Sequence, residues 1–321
     1  MNDALERAVL DGNLHQFMIE AWPAINPGSP FEDGWFIECM ADHLTAVANG
    51  ELRNLLISIP PRMGKSLAVN VFFPAWVWSQ EPAIGPDGAF NTNHQFTVAQ
   101  HQFRGPGVKF GCISYDQALS NQHSQTSRLL FESPWFEQRW GSRVGRVQLR
   151  EDENRIQKFS NTAGGERTAL AFGGRLTGFG FDIIIVDDAH NVLSVESDSV
   201  REATLKVWNE ALPSRRNDPR TAAFVVAMQR SHERDIAGNI MGKWKDRGFE
   251  IVEWRNERPI VSGWAHVNLP ALFEPDHVFE SPILREKTGE PWTDLRTEEG
   301  ESLWPARFPT NALAQLRDSM T

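Results

Sequence analysis

A glycine, a lysine and a serine in succession, Gly64-Lys65-Ser66, and a pair of adjacent carboxylates, Asp187-Asp188, are the residues of this chain whose types and settings could do chemistry together. The triplet ends a Pro-Pro-Arg-Met-Gly-Lys-Ser turn at 60–66. That turn lies between an apolar run from Leu55 to Ile59 and a helix-like run from Leu67 to Ser79. The carboxylates close the run Ile183-Ile184-Ile185-Val186. Strand, turn and helix in that order turn backbone N–H groups at a helix N-terminus toward an anion. A lysine there reaches β- and γ-phosphates, and the serine hydroxyl binds Mg²⁺. A buried strand ending in an acidic pair adds a second contact to the metal and a carboxylate for the attacking water. The expectation is therefore an ATPase using ATP and Mg²⁺. Pro61, Arg62, Met63, Gly64, Lys65 and Ser66 would surround the nucleotide, Ser66 and Asp187 would hold the metal, and Asp188 would polarise the water.

One departure belongs beside this expectation. The phosphate-loop pattern has a glycine five positions before Gly64, where this chain has Ile59, and Pro60 and Pro61 bring no N–H to the start of the turn. A proline turn leading into an ordinary helix would carry the same triplet. The strand before it, the helix after it and the acidic strand downstream agree on the phosphate reading.

The elements that must position these groups alternate along the chain. Residues 1–20 and 33–49 read as helices, the second closing at Gly50, and 54–59 reads as the strand entering the turn. Residues 81–106 are rich in Pro, Gly, Asn and Gln and read as an inserted loop, in which His94 and His101 lack the helical frame of a metal site. Strands are expected at 108–115, 145–149, 154–159, 167–172, 181–186, 221–228 and 249–254. Helices are expected at 116–132, 197–211 and 234–246, and another is capped by Thr310. Strands alternating with helices predict an α/β fold of P-loop NTPase type, a RecA-like parallel sheet flanked by helices. Ligands of such sheets sit at the carboxyl ends of the strands, where 60–66, 187–188 and 228–230 all fall. The expected organisation is a helical N-terminal segment (1–53), an ATPase core (54–255) and an irregular C-terminal subdomain (256–321).

Composition narrows the classes. The chain has 321 residues, 40% hydrophobic and 23% charged, which suits a globular protein with a sizeable core. Its 32 basic and 42 acidic residues give a net charge of −10, against a broad nucleic-acid-coating surface, and predict weak, salt-sensitive DNA binding by this chain alone. Cys39 and Cys112 offer neither a disulfide framework nor a metal cluster, which suits a reducing cytosol. No signal peptide opens the chain, and no run of about 18 apolar residues is present to span a membrane.

The turn Pro60-Pro61-Arg62-Met63-Gly64-Lys65-Ser66 resembles the deviant phosphate loop of large terminase subunits, the ATP-driven motors that package DNA into phage heads. Further likenesses follow in order: Phe73-Pro74-Ala75-Trp76, Gly174-Arg175-Leu176-Thr177-Gly178, Asp187-Asp188-Ala189-His190, the stretch Gln229 to Asp235, and Glu301 to Phe308. The resemblance covers about 35–321. It implies a motor ATPase that moves double-stranded DNA through a capsid portal protein as a homo-oligomeric ring. It also implies a small terminase subunit as partner and, as location, the cytoplasm of an infected bacterium at the procapsid portal vertex. Relatives usually continue into a nuclease domain of ribonuclease-H type; this chain stops at Thr321, so no nuclease residues are expected in it.

By the same resemblance Arg62 acts as a cis arginine on the transition state, Arg175 as an arginine finger, and Gln229 as a sensor of the γ-phosphate. Relatives often carry the longer Glu at the position of Asp188. The adenine is expected against the segment Trp35 to His43. Two other functions stay open. The Asp187-Asp188-Ala189-His190 box resembles that of superfamily-two helicases, which need a second RecA-like domain. Ile59 and Asp188 leave room for a nucleotide-binding assembly module without turnover.

Overall fold

Apolar residues spaced two apart in the buried strands decide the layers. In a computed structural model describing residues 3–80, 103, 105–141, 148–174, 176–244, 248–313 and 315, those strands form a central sheet with a packed face on each side. The strands are β1 (Asn54–Ser58), β2 (Lys109–Ser114), β3 (Leu149–Asn154), β4 (Lys158–Asn161), β5 (Glu166–Ala171), β6 (Ile183–Asp187), β7 (Ala223–Met228), β8 (Phe249–Arg255), β9 (Arg258–Gly263), β10 (Ala265–Asn268), β11 (Glu280–Leu284) and β12 (Pro291–Thr293). Eight of them lie in the order β10-β1-β7-β6-β2-β5-β4-β3. Neighbours from β10 to β5 are parallel, and β4 and β3 continue antiparallel. This is a mixed, mostly parallel α/β sheet flanked by helices, with β7 between the strand that enters the glycine turn and the strand that ends in the carboxylates.

The helices are α1 (Asp3–Gly12), α2 (Leu14–Ile25), α3 (Trp35–Ala48), α4 (Lys65–Leu67), α5 (Phe73–Ser79), α6 (Gln117–Phe131), α7 (Pro134–Trp140), α8 (Asp198–Lys206) and α9 (Ile236–Trp244). Leu55, Ile57, Ile183, Ile185, Val225 and Ala227 pack with α2, α3 and α5 on one face. Leu56, Ile184, Val186, Phe224 and Val226 pack with Trp208, Leu212 and α9 on the other. Burial on both faces is why these strands read as continuous apolar runs rather than alternating ones. Trp76 and Trp78 lie in the first core with their indole N–H groups donated to the carbonyls of Leu10 and Val108, both at 2.9 Å.

Several boundaries differ from the sequence pattern for local reasons. The helix expected over 1–20 breaks at Asn13, whose side chain caps α2 by accepting from the Gln16 N–H at 2.8 Å. The strands expected at 145–149 and 154–159 are replaced by the antiparallel hairpin β3–β4, turned by reciprocal hydrogen bonds between Arg155 and Lys158. The short helix α7 starts at a Ser133 cap followed by Pro134. Past residue 255, where the pattern weakens, β10 still joins the main sheet beside β1, while β8 and β9 form a separate pair. The inserted loop expected at 81–106 lies almost wholly outside the described residues. Among the described residues, no helix is long and apolar enough to cross a membrane.

The hairpin β11–β12 is held on α3 by buried polar contacts that make the fold acid-sensitive. His43 donates through Nδ1 to the Cys39 carbonyl at 2.7 Å and accepts at Nε2 from Ser281 Oγ at 2.6 Å, an arrangement that needs the neutral ring. Burial pushes His43 down from 6.5 to about 4, and does the same to His266 against Ser58. Asp42, accepting from Trp292 Nε1, is pushed up to about 6 by burial and works the other way. Between pH 6.5 and 4 the unfolded chain binds a proton at each of these histidines and the folded chain does not, so their contribution to stability is lost as pH falls. The buried carboxyls Asp42 and Asp187 oppose this slope, so the measurement is a difference: in thermal melts across that range, wild type should lose melting temperature toward acid relative to His43→Gln, and parallel curves would contradict the assignment.

Candidate nucleotide site

The site begins where β1 runs out. Ile59 extends that strand, its N–H donated to the Met228 carbonyl at 3.2 Å and its side chain buried, so the residue standing where a loop glycine is expected serves the sheet instead. Pro60 and Pro61 then turn the chain, and Pro61 is exposed. Arg62 and Gly64 take left-handed backbone conformations, φ 65° and 76°, which curl the turn. For Arg62 this costs about 1–3 kcal/mol, the kind of strain held at functional sites. A Cβ on Gly64 would meet nothing within 4 Å, so the space beside this residue is open.

Lys65 opens α4 with its side chain almost fully buried and directed to the end of β6, where Nζ lies 2.7 Å from Asp188 Oδ2. Asp188 has a left-handed φ of 43°, its N–H is bonded to Ala227, and its Oδ1 accepts the Gln229 N–H at 3.2 Å. The last residue of β7 thus hands Gln229 to the carboxylate. One position earlier, Asp187 points to the face that carries α4. Its Oδ1 accepts from Ser66 Oγ at 3.2 Å and its Oδ2 from Asn70 Nδ2 at 2.9 Å. Burial, with the adjacent Asp188 charge adding to it, pushes the Asp187 carboxyl up to about 7.

Three residues around Asp187 escaped the sequence reading. Asn70 sits one helical turn after Ser66, a spacing of four that puts both on one face and could have been noticed. His123, from α6, brings Nδ1 within 3.6 Å of Asp187 Oδ2; burial pushes this ring down to about 4, so it is neutral, and no charge pair forms. Arg167 is buried on β5 and donates Nη2 to the Asn70 carbonyl at 3.1 Å. Pro74, four residues on, brings no N–H to that carbonyl, and residues 68–72 widen into a π-helical turn between α4 and α5.

A cleft of about 590 Å³ opens beside the turn, with Arg62, Met63, Gly64, Lys65 and Ser66 along one wall. Trp22, Asn26, Phe31, Ile37 and Met40 also line it, an apolar surface with a few polar groups of the kind that takes a base. Only Ile37 and Met40 come from the segment expected to hold adenine. Trp35 instead stacks on Trp292 at 6.4 Å, and His43 belongs to the contact with Ser281. His232 accepts the Arg234 N–H, a helix-start role, and Arg230 is held by Asp235. Arg175 lies outside the described residues.

The donor set fits a hard divalent cation. Mg²⁺ takes one or two carboxylates, water and substrate phosphates rather than a protein cage, and among the described residues no cluster of three or more His, Cys, Asp or Glu is gathered. Ser66 Oγ and Asp187 Oδ1 are the oxygens that would hold it.

No family model and no curated protein sequence matches the chain. Solved structures do. In fold, the chain is similar to phage large terminases. The HK97 bacteriophage large terminase aligns at 13% identity and a TM-score of 0.43 over 74% of this chain, which spans 41% of that terminase. The ATPase domain of the large terminase of Thermus phage P74-26 aligns at 14% identity in two structures. A mutant form has a TM-score of 0.34, covering 65% of this chain and 69% of that one; the other has 0.31, covering 58% and 64%.

Proposed function

We propose that this chain is a Mg²⁺-dependent ATPase and that its hydrolysis drives double-stranded DNA into a viral procapsid. One observation carries the hydrolytic half. Lys65 meets Asp188 at 2.7 Å and Ser66 meets Asp187 at 3.2 Å, at the carboxyl ends of two parallel strands separated by a single strand. Mg²⁺ held by Ser66 and Asp187 would neutralise charge on the β- and γ-phosphates.

The protein's own groups then divide the work. Without nucleotide, Lys65 neutralises Asp188. A γ-phosphate entering the Gly64 turn competes for that cation, and the release of Lys65 leaves Asp188 free to orient a water and take its proton. The Gln229 N–H keeps the carboxylate aimed while Lys65 moves. Arg62 adds positive charge from within the turn, and Arg175 supplies a second guanidinium to the neighbouring subunit's nucleotide in a ring. The Gln229 side chain senses the γ-phosphate.

The translocation half rests on the resemblance of the motif series to large terminase subunits. It brings with it the portal protein and a small terminase subunit as partners, and the portal vertex in an infected cell as location. With a net charge of −10, DNA grip falls to the assembled ring rather than to one copy. The Lys65–Asp188 pair also favours a second reading, a module that binds nucleotide without turning it over, should the pair persist in the bound state. Steady-state ATP hydrolysis against protein concentration, for wild type and Arg175→Ala, separates these. Activity rising faster than linearly and lost in the variant is the expected result. Linear activity indifferent to the change would make each copy self-sufficient, and no turnover at any concentration would leave the binding module.

A further inference from the structure

The segment from Ser302 to Phe308 takes no part in the hydrolysis described above, yet two of its residues line the cleft beside the glycine turn. Trp304 and Arg307 both line that cleft with Arg62 to Ser66, some 240 residues away in sequence. The segment is built to stay there. Leu303 donates its N–H to Ala271, and Ser302 Oγ accepts the Trp304 N–H at 3.2 Å while donating to the Phe308 carbonyl at 2.6 Å. The N–H groups of Arg307 and Phe308 close back on the Trp304 carbonyl at 3.1 and 2.8 Å. Trp304 is wedged edge-on against Phe36 of α3, with ring centroids 5.2 Å apart.

Two polar side-chain groups of this segment have no hydrogen-bond acceptor among the described residues. The Arg307 guanidinium lies over the Trp304 ring at 5.1 Å and near Phe308 at 5.6 Å, which fixes its plane, but it pairs with no carboxylate among the described residues. The indole N–H of Trp304 is buried and has no acceptor among the described residues. A stacked, exposed guanidinium keeps its donor edge free, and that edge matches a phosphate better than any other common anion except a carboxylate.

We infer that Arg307 is a nucleotide-binding residue: it donates to the phosphate chain of a bound nucleoside polyphosphate in the cleft it shares with Lys65, with Trp304 as the platform that positions it. This rests on the reading of the cleft as a nucleotide site. It also gives the C-terminal segment a direct contact with the ligand, so that nucleotide occupancy and the placement of residues 302–308 become coupled.

Calorimetric titration with ATP and with AMP in the presence of Mg²⁺ tests it, on the full chain and its Arg307→Ala, Arg307→Lys and Trp304→Phe variants. Arg307→Ala should weaken ATP binding about tenfold and AMP binding far less, because the lost contact is to the outer phosphates. Arg307→Lys should recover part of the loss, since it keeps the charge without the fork. Trp304→Phe should sit between wild type and Arg307→Ala. The melting temperature without nucleotide should be nearly unchanged in Arg307→Ala, since the residue is exposed. Equal ATP affinity in wild type and Arg307→Ala, or equal losses for ATP and AMP, would overturn the inference and leave the site standing. A wild type that binds no ATP would overturn the nucleotide site beneath it.

Discussion

Lys65→Ala is expected to lower Mg²⁺-dependent ATP turnover by roughly 10²–10³-fold, the effect of removing one preorganised charge from a site of developing anion. The side chain is 5% exposed and its Nζ meets Asp188 Oδ2 at 2.7 Å, a buried position that solvent does not fill with a replacement charge. Its loss acts twice. The triphosphate loses its lysine, and Asp187 and Asp188 are left as neighbouring carboxylates without the cation that tempers their repulsion. The second effect gives a check that separates chemistry from folding. Lys65→Ala alone should melt at a lower temperature than wild type, while Lys65→Ala with Asp188→Asn should recover stability and remain inactive. Turnover surviving in Lys65→Ala would place the phosphate contact elsewhere.

Asp187→Asn should lose turnover by a comparable factor and yet raise the melting temperature of the nucleotide-free protein by several degrees. The carboxylate is 1% exposed, and burial is the first cause of its upward shift to about 7. At pH 8 the folded protein therefore carries a charge it would rather not hold, and the neutral amide relieves it. The hydrogen bonds survive the exchange. The amide oxygen can accept from Asn70 Nδ2, and the amide nitrogen can donate to Ser66 Oγ, the two partners Asp187 has now. What the amide lacks is a charged oxygen for a hard cation. Melting curves with and without Mg²⁺, set beside initial rates, would show the two effects parting. A variant both inactive and less stable would mean Asp187 holds the fold together rather than the metal.

The two halves of this site were legible at different depths. Gly64-Lys65-Ser66 and Asp187-Asp188 announce themselves because their chemistry depends on position within a few residues of a strand end, and the flanking apolar runs mark those ends. Alternation implied a parallel sheet, and β1, β2, β6 and β7 are parallel in it, but the order β1-β7-β6-β2 that brings the two halves together has no signature in the sequence. The β3–β4 hairpin and the return of β10 to the sheet have none either, since short amphipathic strands carry no signal for which edge they join. The ring of residues behind Asp187 was hidden for a similar reason. Asn70 is one turn from Ser66 and within reach of a careful reading, but His123 and Arg167 arrive from α6 and β5 by tertiary packing alone. Apart from the turn and the helix after it, the cleft lining comes from Met18 to Glu32, from Ile37 and Met40, and from Trp304 and Arg307, whereas the sequence pointed to Trp35 to His43 alone.

The central claim is that Lys65, Ser66, Asp187 and Asp188 form a Mg²⁺·ATP site whose lysine changes partner when nucleotide binds. A crystal structure of the chain with Mg²⁺ and ADP–beryllium fluoride tests this most directly. The account predicts Lys65 Nζ moved from Asp188 onto the fluoride-bearing group, the cation between Ser66 and Asp187, and the adenine in the cleft bounded by Trp22 and Phe31. Nucleotide bound away from the Gly64 turn, or seated there with Lys65 still on Asp188, would contradict it.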